Sequence, residues 1–139
     1  KKVLSYTHFS DYGLLGCYAV SAFDHSGNES LLSEIVCVDN CPLYELPNTF
    51  TPNGDSYNDT FKPTKNLFIA TVEFKVYNQW GNLVFDTTDP AINWHGTTNQ
   101  GKQLADGTYY YTCRIFENRV NGIIEASKPL SGFIHLLRN

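Results

Sequence analysis

Residues 46–61 read LPNTFTPNGDSYNDTF, and this stretch decides how the rest of the sequence is organised. Apolar residues alternate up to Phe50 and stop at Pro52, and six polar or glycine residues then fill most of the positions before Phe61. Alternation of this kind is typical of a β-strand, and such polar clusters are typical of tight loops. The stretch therefore predicts a strand that runs into an oxygen-rich loop. The end of one β module precedes it and a complete second β module follows it.

The composition is that of a globular domain and excludes several function classes. Of the 139 residues, 42% are hydrophobic and 17% are charged, and the chain holds nine Tyr, nine Phe, ten Gly and six Pro. This mixture favours an all-β fold. The net charge of −4 argues against a nucleic-acid partner. No apolar run approaches the roughly 18 residues of a membrane helix, and no signal peptide is visible, which predicts a mature fragment of a larger protein.

The second module contains several segments with strand periodicity. Residues 71–77 alternate between apolar and charged, residues 108–117 place four apolar side chains on one face, and residues 130–137 close the sequence with another apolar run. Gly, Asn and Pro turns separate these segments, and there is no convincing amphipathic helix. The pattern predicts an immunoglobulin-like antiparallel β-sandwich whose final strand is part of the sheet.

The first forty residues predict only a piece of a module. Residues 17–23 and 34–38 are two strand-like runs around the turn at 24–28, which is the pattern of a hairpin. The sequence YAVSAFDHSGNESLLSE resembles the last two strands of a fibronectin type III module. We therefore divide the chain into residues 1–40, the end of such a module, and residues 41–139. The joint between them contains Pro42 and Pro47, which predicts a fixed relation between the two parts.

The four cysteines lack the spacing of a zinc site and predict disulfides in an oxidising compartment. They are Cys17, Cys37, Cys41 and Cys113. Four cysteines permit three pairings. We expect Cys17–Cys37 and Cys41–Cys113, because the first pair would join neighbouring strands of the leading module.

The loop in the opening stretch has two interpretations. Asn53, Asp55 and Asp59 lie at spacings that resemble a calcium loop, with the carbonyl of Tyr57 as a further ligand. The loop supplies about four oxygens, whereas Ca²⁺ takes six to eight. The alternative is a turn whose side chains bond their own backbone. Calcium is thus the one cofactor that the sequence suggests.

Five motifs in the second module occur in the same order as in a known family. They are LPNTFTPNGDSYNDTFKP (46–63), VYNQWGNLVF (76–85), WHG (94–96), ADGTYYY (105–111) and GFIHLLR (132–138). Together they resemble the gliding-motility-associated C-terminal domain, which is the type B sorting domain of the Bacteroidetes type IX secretion system. Three positions depart from the usual family residues, namely Ser56, His95 and Ala105, and Ser56 puts a turn with positive φ in doubt.

The resemblance implies a function and a set of partners. Such a domain directs a passenger protein to the cell surface or the medium of a Gram-negative bacterium. It implies that the outer-membrane translocon and its shuttle β-barrel protein are partners, with upstream passenger domains in the same chain. We expect the translocon to recognise the loop at 53–59 and the closing strand, in particular Gly132, Ile134, Leu136 and Arg138.

Two other classes of function agree less well with the sequence. An adhesive or carbohydrate-binding module would use Trp80 and Trp94 as a platform, whereas we expect both rings to plug the end of the sandwich. An enzyme is not expected, since the sequence has no G-x-S-x-G motif and its carboxylates form no recognisable catalytic pair.

Overall fold

The computed structural model describes Thr7 and residues 15–138, and these residues form an all-β structure. The strands are β1 (Gly16–Tyr18), β2 (Val36–Val38), β3 (Leu43–Glu45), β4 (Thr49–Phe50), β5 (Lys65–Leu67), β6 (Ile69–Tyr77), β7 (Leu83–Thr87), β8 (Gly107–Arg119), β9 (Gly122–Glu125) and β10 (Leu130–Leu136). None of the described residues forms a helix that is long and apolar enough to cross a membrane.

Six strands form the main sheet in the order β4-β10-β8-β6-β7, with β9 paired to β8. The pairs within it are antiparallel except for β4 and β10, which run parallel. The prediction of an all-antiparallel arrangement is therefore wrong, and the sheet is mixed. A parallel pair needs a long crossover connection. Here nearly the whole second module separates β4 from β10 in sequence.

The core lies on one face of this sheet because β6 and β8 alternate. Val72, Phe74 and Val76 of β6 are fully buried. In the β6–β8 register Phe74 lies opposite Cys113, which is also fully buried. Side chains that alternate along a strand point to opposite faces, so the residues between them face solvent.

Short segments cover the core face. Tyr44 of β3 packs into the core, and its hydroxyl donates a hydrogen bond to the carbonyl of Pro90 at 2.6 Å. Phe61 and Trp94 form an isolated antiparallel bridge and are 0% and 1% exposed. The covering layer thus consists of the β3–β5 pair and of loop segments. An immunoglobulin-like sandwich is not confirmed, although the all-β class is.

The leading strands β1 and β2 form a two-stranded antiparallel sheet of their own. Cys17 lies directly opposite Cys37, and the two form a disulfide, as predicted. A complete fibronectin-like module is not shown, and the part of that prediction that falls on residues 1–6 and 8–14 lies outside the described residues.

The joint after β2 is fixed to the hairpin between β8 and β9. Asp39 accepts hydrogen bonds from the Arg119 guanidinium at 2.8 Å and from the Val120 amide at 2.9 Å. The side chain of the buried Asn40 donates to the carbonyl of Asn118 at 2.9 Å. Bonds to the Arg119 side chain and the Val120 amide hold the pKa of Asp39 at about 2.

Candidate functional site

The closing strand β10 lies inside the sheet, between β8 and β4. All seven of its residues pair with residues 107–113 of β8, and His135 and Leu136 also pair with β4. The prediction that the final strand is part of the sheet is confirmed. Ile134 and Leu136 are 0% exposed. In the folded domain these two predicted recognition residues therefore contact the core and not a receptor.

Gly132 lies beneath an aromatic ring on the core side of β10. It pairs with Tyr111, and a Cβ atom added to Gly132 would lie 3.0 Å from Cε1 of that ring. A ring placed over a strand glycine replaces the packing that the glycine lacks. The family motif thus has a structural reason for glycine at this position.

Arg138 fastens the chain just after β10. Its Nη1 donates to the carbonyl of Leu104 at 2.6 Å and to the carboxylate of Asp106 at 2.8 Å, and its Nη2 donates to the carbonyl of Gly96 at 3.0 Å. Its backbone amide donates to the second oxygen of Asp106 at 2.8 Å. The side chain is 16% exposed, and its Nε is buried with no partner among the described residues. Arg138 acts here as a clamp that holds the end of the closing strand.

Asp106 and Arg138 support each other electrostatically. The amide and guanidinium of Arg138 lower the pKa of Asp106, the backbone hydrogen bond being the largest cause. The lowered pKa favours the ionised carboxylate that accepts the hydrogen bonds of Arg138.

The face of β10 that points away from the core carries different side chains. Phe133 is 44% exposed and contacts His135, with ring centroids 5.0 Å apart, and Leu137 is 38% exposed. The sequence motifs predicted no role for these residues. The alternation of β10 was the signal that could have found them, since buried Ile134 and Leu136 place 133, 135 and 137 outside.

The loop at 53–59 is a self-bonded turn. The two carboxylate oxygens of Asp59 accept the backbone amides of Gly54 at 2.7 Å and Ser56 at 2.8 Å. Asp55 accepts the amide of Tyr57 at 2.8 Å, and Asn53 accepts the amide of Asp55 at 3.1 Å. The amide of Gly54, followed by that of Ser56, lowers the pKa of Asp59.

This bonding bears on the calcium hypothesis. Asn53, Asp55 and Asp59 lie in one turn, and their oxygens already accept hydrogen bonds from the loop. The carbonyl of Tyr57 accepts a hydrogen bond from the Thr51 hydroxyl at 3.4 Å. Across the described ranges, no group of three or more His, Cys, Asp or Glu side chains is placed to hold a metal ion. The loop geometry matches the self-bonded alternative, and calcium binding stays a prediction. Ser56 adopts φ 73°, so the turn with positive φ forms without glycine.

The second predicted disulfide is absent. Cys41 is a free, exposed thiol on the joint, and Cys113 is a free, buried thiol. The Cys113 side chain points into the core, where burial raises its pKa to about 12. The Cys41–Cys113 pairing is therefore wrong, because the alternation of β8 turns Cys113 away from the surface.

Comparison with known proteins decides the family. Residues 44–136, more than half of the chain, match the family model described as CHU_C Type IX secretion signal domain. The chain belongs to the Type IX secretion signal domain family. This domain is a secretion signal and not an enzyme, and a protein that carries it is secreted or attached to the cell surface. The family prediction is confirmed for the second module.

Two further comparisons were a search of solved structures and a search of curated proteins. The structure of the chain is similar to the crystal structure of dimeric latent PorU from Porphyromonas gingivalis, with a TM-score of 0.40 and 17% sequence identity. The match covers 90% of this chain and 12% of the PorU chain, so the signal domain chain spans about an eighth of that protein. No curated protein shows significant similarity to the chain.

The tryptophans of the signal domain have separate roles. Trp94 is 1% exposed, and its indole nitrogen donates to the carbonyl of Thr97 at 2.7 Å. Its ring is buried in the core, so it is not accessible to a sugar. Trp80 is 75% exposed in the turn between β6 and β7, so the prediction that its ring is buried at the end of the sandwich is wrong.

Proposed function

We propose that the outer-membrane translocon and its shuttle β-barrel protein recognise this signal domain in its folded form. Recognition then moves the passenger to the surface or medium of a Gram-negative Bacteroidetes cell. One observation carries the proposal: the closing strand pairs with β8 along its whole length and with β4 at its end, and its residues Ile134 and Leu136 are fully buried. A receptor that read this strand as a linear peptide would first have to extract it from the core.

Under this proposal the four predicted recognition residues share one role, which is to hold the closing strand in place. Ile134 and Leu136 anchor the strand, Gly132 makes room for Tyr111, and Arg138 clamps the end. These residues position the surface that is read and do not themselves contact the receptor.

Export of a fluorescent passenger fused to the full chain tests the proposal in a bacterium with a Type IX system. Ile134→Asn buries an unpaired amide, and we expect it to abolish both the cooperative melt and export. Ser131→Asn, on the exposed side of the same strand, is the matched control and should keep both. Removal of residues 130–139 should also block export.

Two results would contradict the proposal. One is wild-type export of the Ile134→Asn fusion when the purified variant shows no folded domain, because the signal would then be read from sequence alone. The other is a passenger that reaches the medium equally well without residues 130–139.

We also propose that residues 1–40 are the end of a fibronectin type III-like module that adjoins the passenger. Several large apolar side chains in this part are exposed, which a complete module would cover. They are Val20, Phe23, Leu31, Leu32, Ile35 and Val36. Hydrogen exchange tests this: amides at 16–18 and 36–38 should be more protected in a longer protein that includes the preceding sequence. Equal exchange in both proteins would contradict the proposal.

A further inference from the structure

Strand β7 is an edge of the main sheet. Among the described strands it stands last in the order and pairs with β6 alone. Backbone N–H and C=O groups that point away from the single partner of an edge strand are free to pair with a strand of another molecule. In an antiparallel pair these outward groups belong to every second residue. The regular ladder of β7 runs from Phe85 to Thr87, and the residue between them, Asp86, has its backbone groups on the outward side.

The side chain of Asn99 bonds both outward groups of Asp86. Its Oδ1 accepts a hydrogen bond from the Asp86 amide at 2.9 Å, and its Nδ2 donates to the Asp86 carbonyl at 2.9 Å. A carboxamide carries a carbonyl acceptor and N–H donors on one planar group, as a peptide bond carries an acceptor and a donor. Asn99 therefore makes the two hydrogen bonds that a residue of a further strand would make with Asp86. We call this side chain the edge cap.

A short hairpin, residues 97–103, holds the edge cap at its tip. An antiparallel bridge joins the two ends of this hairpin. The Gly101 amide donates to the carbonyl of Thr98 at 2.9 Å, which makes Asn99 the first central residue of the turn. Gly101 has φ 82°, the left-handed conformation that a three-residue connection of this kind needs. The turn is therefore a defined structure that presents Asn99 in one place.

The core fixes this hairpin beside β7. The indole nitrogen of Trp94 donates to the carbonyl of Thr97 at 2.7 Å, at the base of the hairpin. The Trp94 ring is buried and stacks on Phe85 of β7, with ring centroids 5.7 Å apart. Because Phe85 directly precedes Asp86, this buried contact sets where the tip of the hairpin meets the strand. The position of the edge cap over Asp86 follows from the packing of the core.

The first half of β7 carries a bulge. Val76 lies opposite Phe85 and Tyr77 lies opposite Leu83, so Val84 has no opposite residue in β6. Bulges of this kind disrupt the ladder and twist an edge away from a second strand. The bulge and the edge cap together interrupt both outward positions within this strand.

We propose that the edge cap keeps a second copy of the domain from adding its own β7 to this one. Two copies related by a two-fold axis could pair their β7 strands antiparallel, because such an interface uses the same patch on both chains. In the register centred on Asp86, each carboxylate would face its counterpart, and like charges placed opposite each other destabilise a strand pair. Asn99 and the charge of Asp86 thus protect the edge in two ways. This role goes beyond the proposed function, because it does not depend on what recognises the domain.

The oligomeric state of the purified full chain tests the role of the edge cap. Asn99→Ser keeps a residue that turns accept, but its hydroxyl is too short to bond both groups of Asp86. Asp86→Thr removes the charge and keeps the cap, because Asn99 bonds the backbone of Asp86. The double variant removes both protections. Gln100→Ala, at the exposed neighbour of Asn99 in the turn, is the matched control.

Analytical ultracentrifugation measures the monomer–dimer equilibrium of each protein. We expect wild type, Asp86→Thr and Gln100→Ala to stay monomeric. The double variant should dimerise at concentrations at least about tenfold below any at which wild type does, because two backbone groups are free to pair and the charge repulsion is gone. Hydrogen exchange of the Asp86 amide should be slow in wild type, fast in monomeric Asn99→Ser and slow again in the dimer. Thermal melts show that each variant is folded.

Three results would overturn this role. The first is a folded double variant that stays as monomeric as wild type. The second is an Asp86 amide that exchanges in wild type as fast as an exposed loop amide, a measurement that holds even where Asn99→Ser does not fold. The third is a dimer of the double variant in which the Asp86 amide stays unprotected, because the contact between the two copies would then lie elsewhere.

Discussion

Arg138 closes over Gly96: its Nη2 donates to the Gly96 carbonyl at 3.0 Å, and a Cβ atom on Gly96 would lie 2.9 Å from that same nitrogen. The added atom would also come within 2.6 Å of Cδ1 of Leu136. Glycine at this position thus lets the end of the closing strand reach the loop before β8.

Gly96→Ala should destabilise the domain more than an ordinary glycine replacement. The backbone has φ +73°, and the new methyl group would overpack Leu136, so we expect a loss of about 2–4 kcal/mol. Gly101→Ala is the matched control, because Gly101 has φ +82° with no atom within 4 Å and should lose only about 1 kcal/mol. Urea unfolding measures both, and equal losses would show that the close approach does not matter.

Arg138→Ala should release the end of β10. It removes three hydrogen bonds from a charged group that is mostly buried, and we expect a loss of about 2–3 kcal/mol in the free energy of unfolding. Hydrogen exchange of the Leu136 and Leu137 amides should rise more than that of β6. Lys102→Ala, at an exposed position in a nearby loop, is the control. Unchanged exchange at the strand end would rule out the clamp.

Acid should weaken the joint through Asp39. Its pKa falls from 3.8 to about 2 when folded, chiefly because Arg119 donates to it, so ionised Asp39 stabilises the folded state. This contribution is complete above about pH 4 and is lost as the pH falls through about 2. We expect the melting temperatures of wild type and Asp39→Asn to differ above pH 5 and to converge towards pH 2. Glu34→Gln is a control carboxylate outside the joint. A difference that does not shrink in acid would contradict this role.

The cysteines should fall into three classes of reactivity. Cys41 is exposed and should react at once with a thiol reagent, whereas Cys113 is buried with a pKa of about 12 and should react only after unfolding. Cys17 and Cys37 should react only after reduction. Peptide mass mapping after labelling assigns each class. Oxidised protein with a Cys41–Cys113 peptide would contradict the free, buried state of Cys113.

The calcium hypothesis for the loop at 53–59 predicts that Ca²⁺ raises the melting temperature. Binding to the folded state alone stabilises it in proportion to the logarithm of ligand concentration. Asp59→Asn should abolish that rise, and Asp89→Asn, in a different turn, should not. A melt that is the same with Ca²⁺ and with chelator would end the hypothesis and leave the loop as a self-bonded turn.

Local pattern predicted the long strands of the main sheet but not the short strands β3 and β5, and the resemblance of five motifs predicted the family. The alternation of residues 71–77 identified β6 and its buried face, because side chains on a strand point to opposite sides. The same rule identified the closing strand. The alternation rule also places Phe133 on the outer face of β10. The closing motif nevertheless predicted its neighbours Gly132 and Ile134 as recognition residues.

The sequence alone predicted an all-β fold with an integral final strand, because this depends on local alternation, and its resemblance to a known family predicted the signal domain. Of the two disulfides expected, the one between neighbouring strands, Cys17–Cys37, is present. Only the tertiary structure decided that β4 and β10 run parallel, that Cys113 is buried and unpaired, and that Arg138 reaches Gly96 and Asp106. These relationships join residues far apart in sequence. Their geometry follows from how the sheet packs on its covering segments, which no local pattern records.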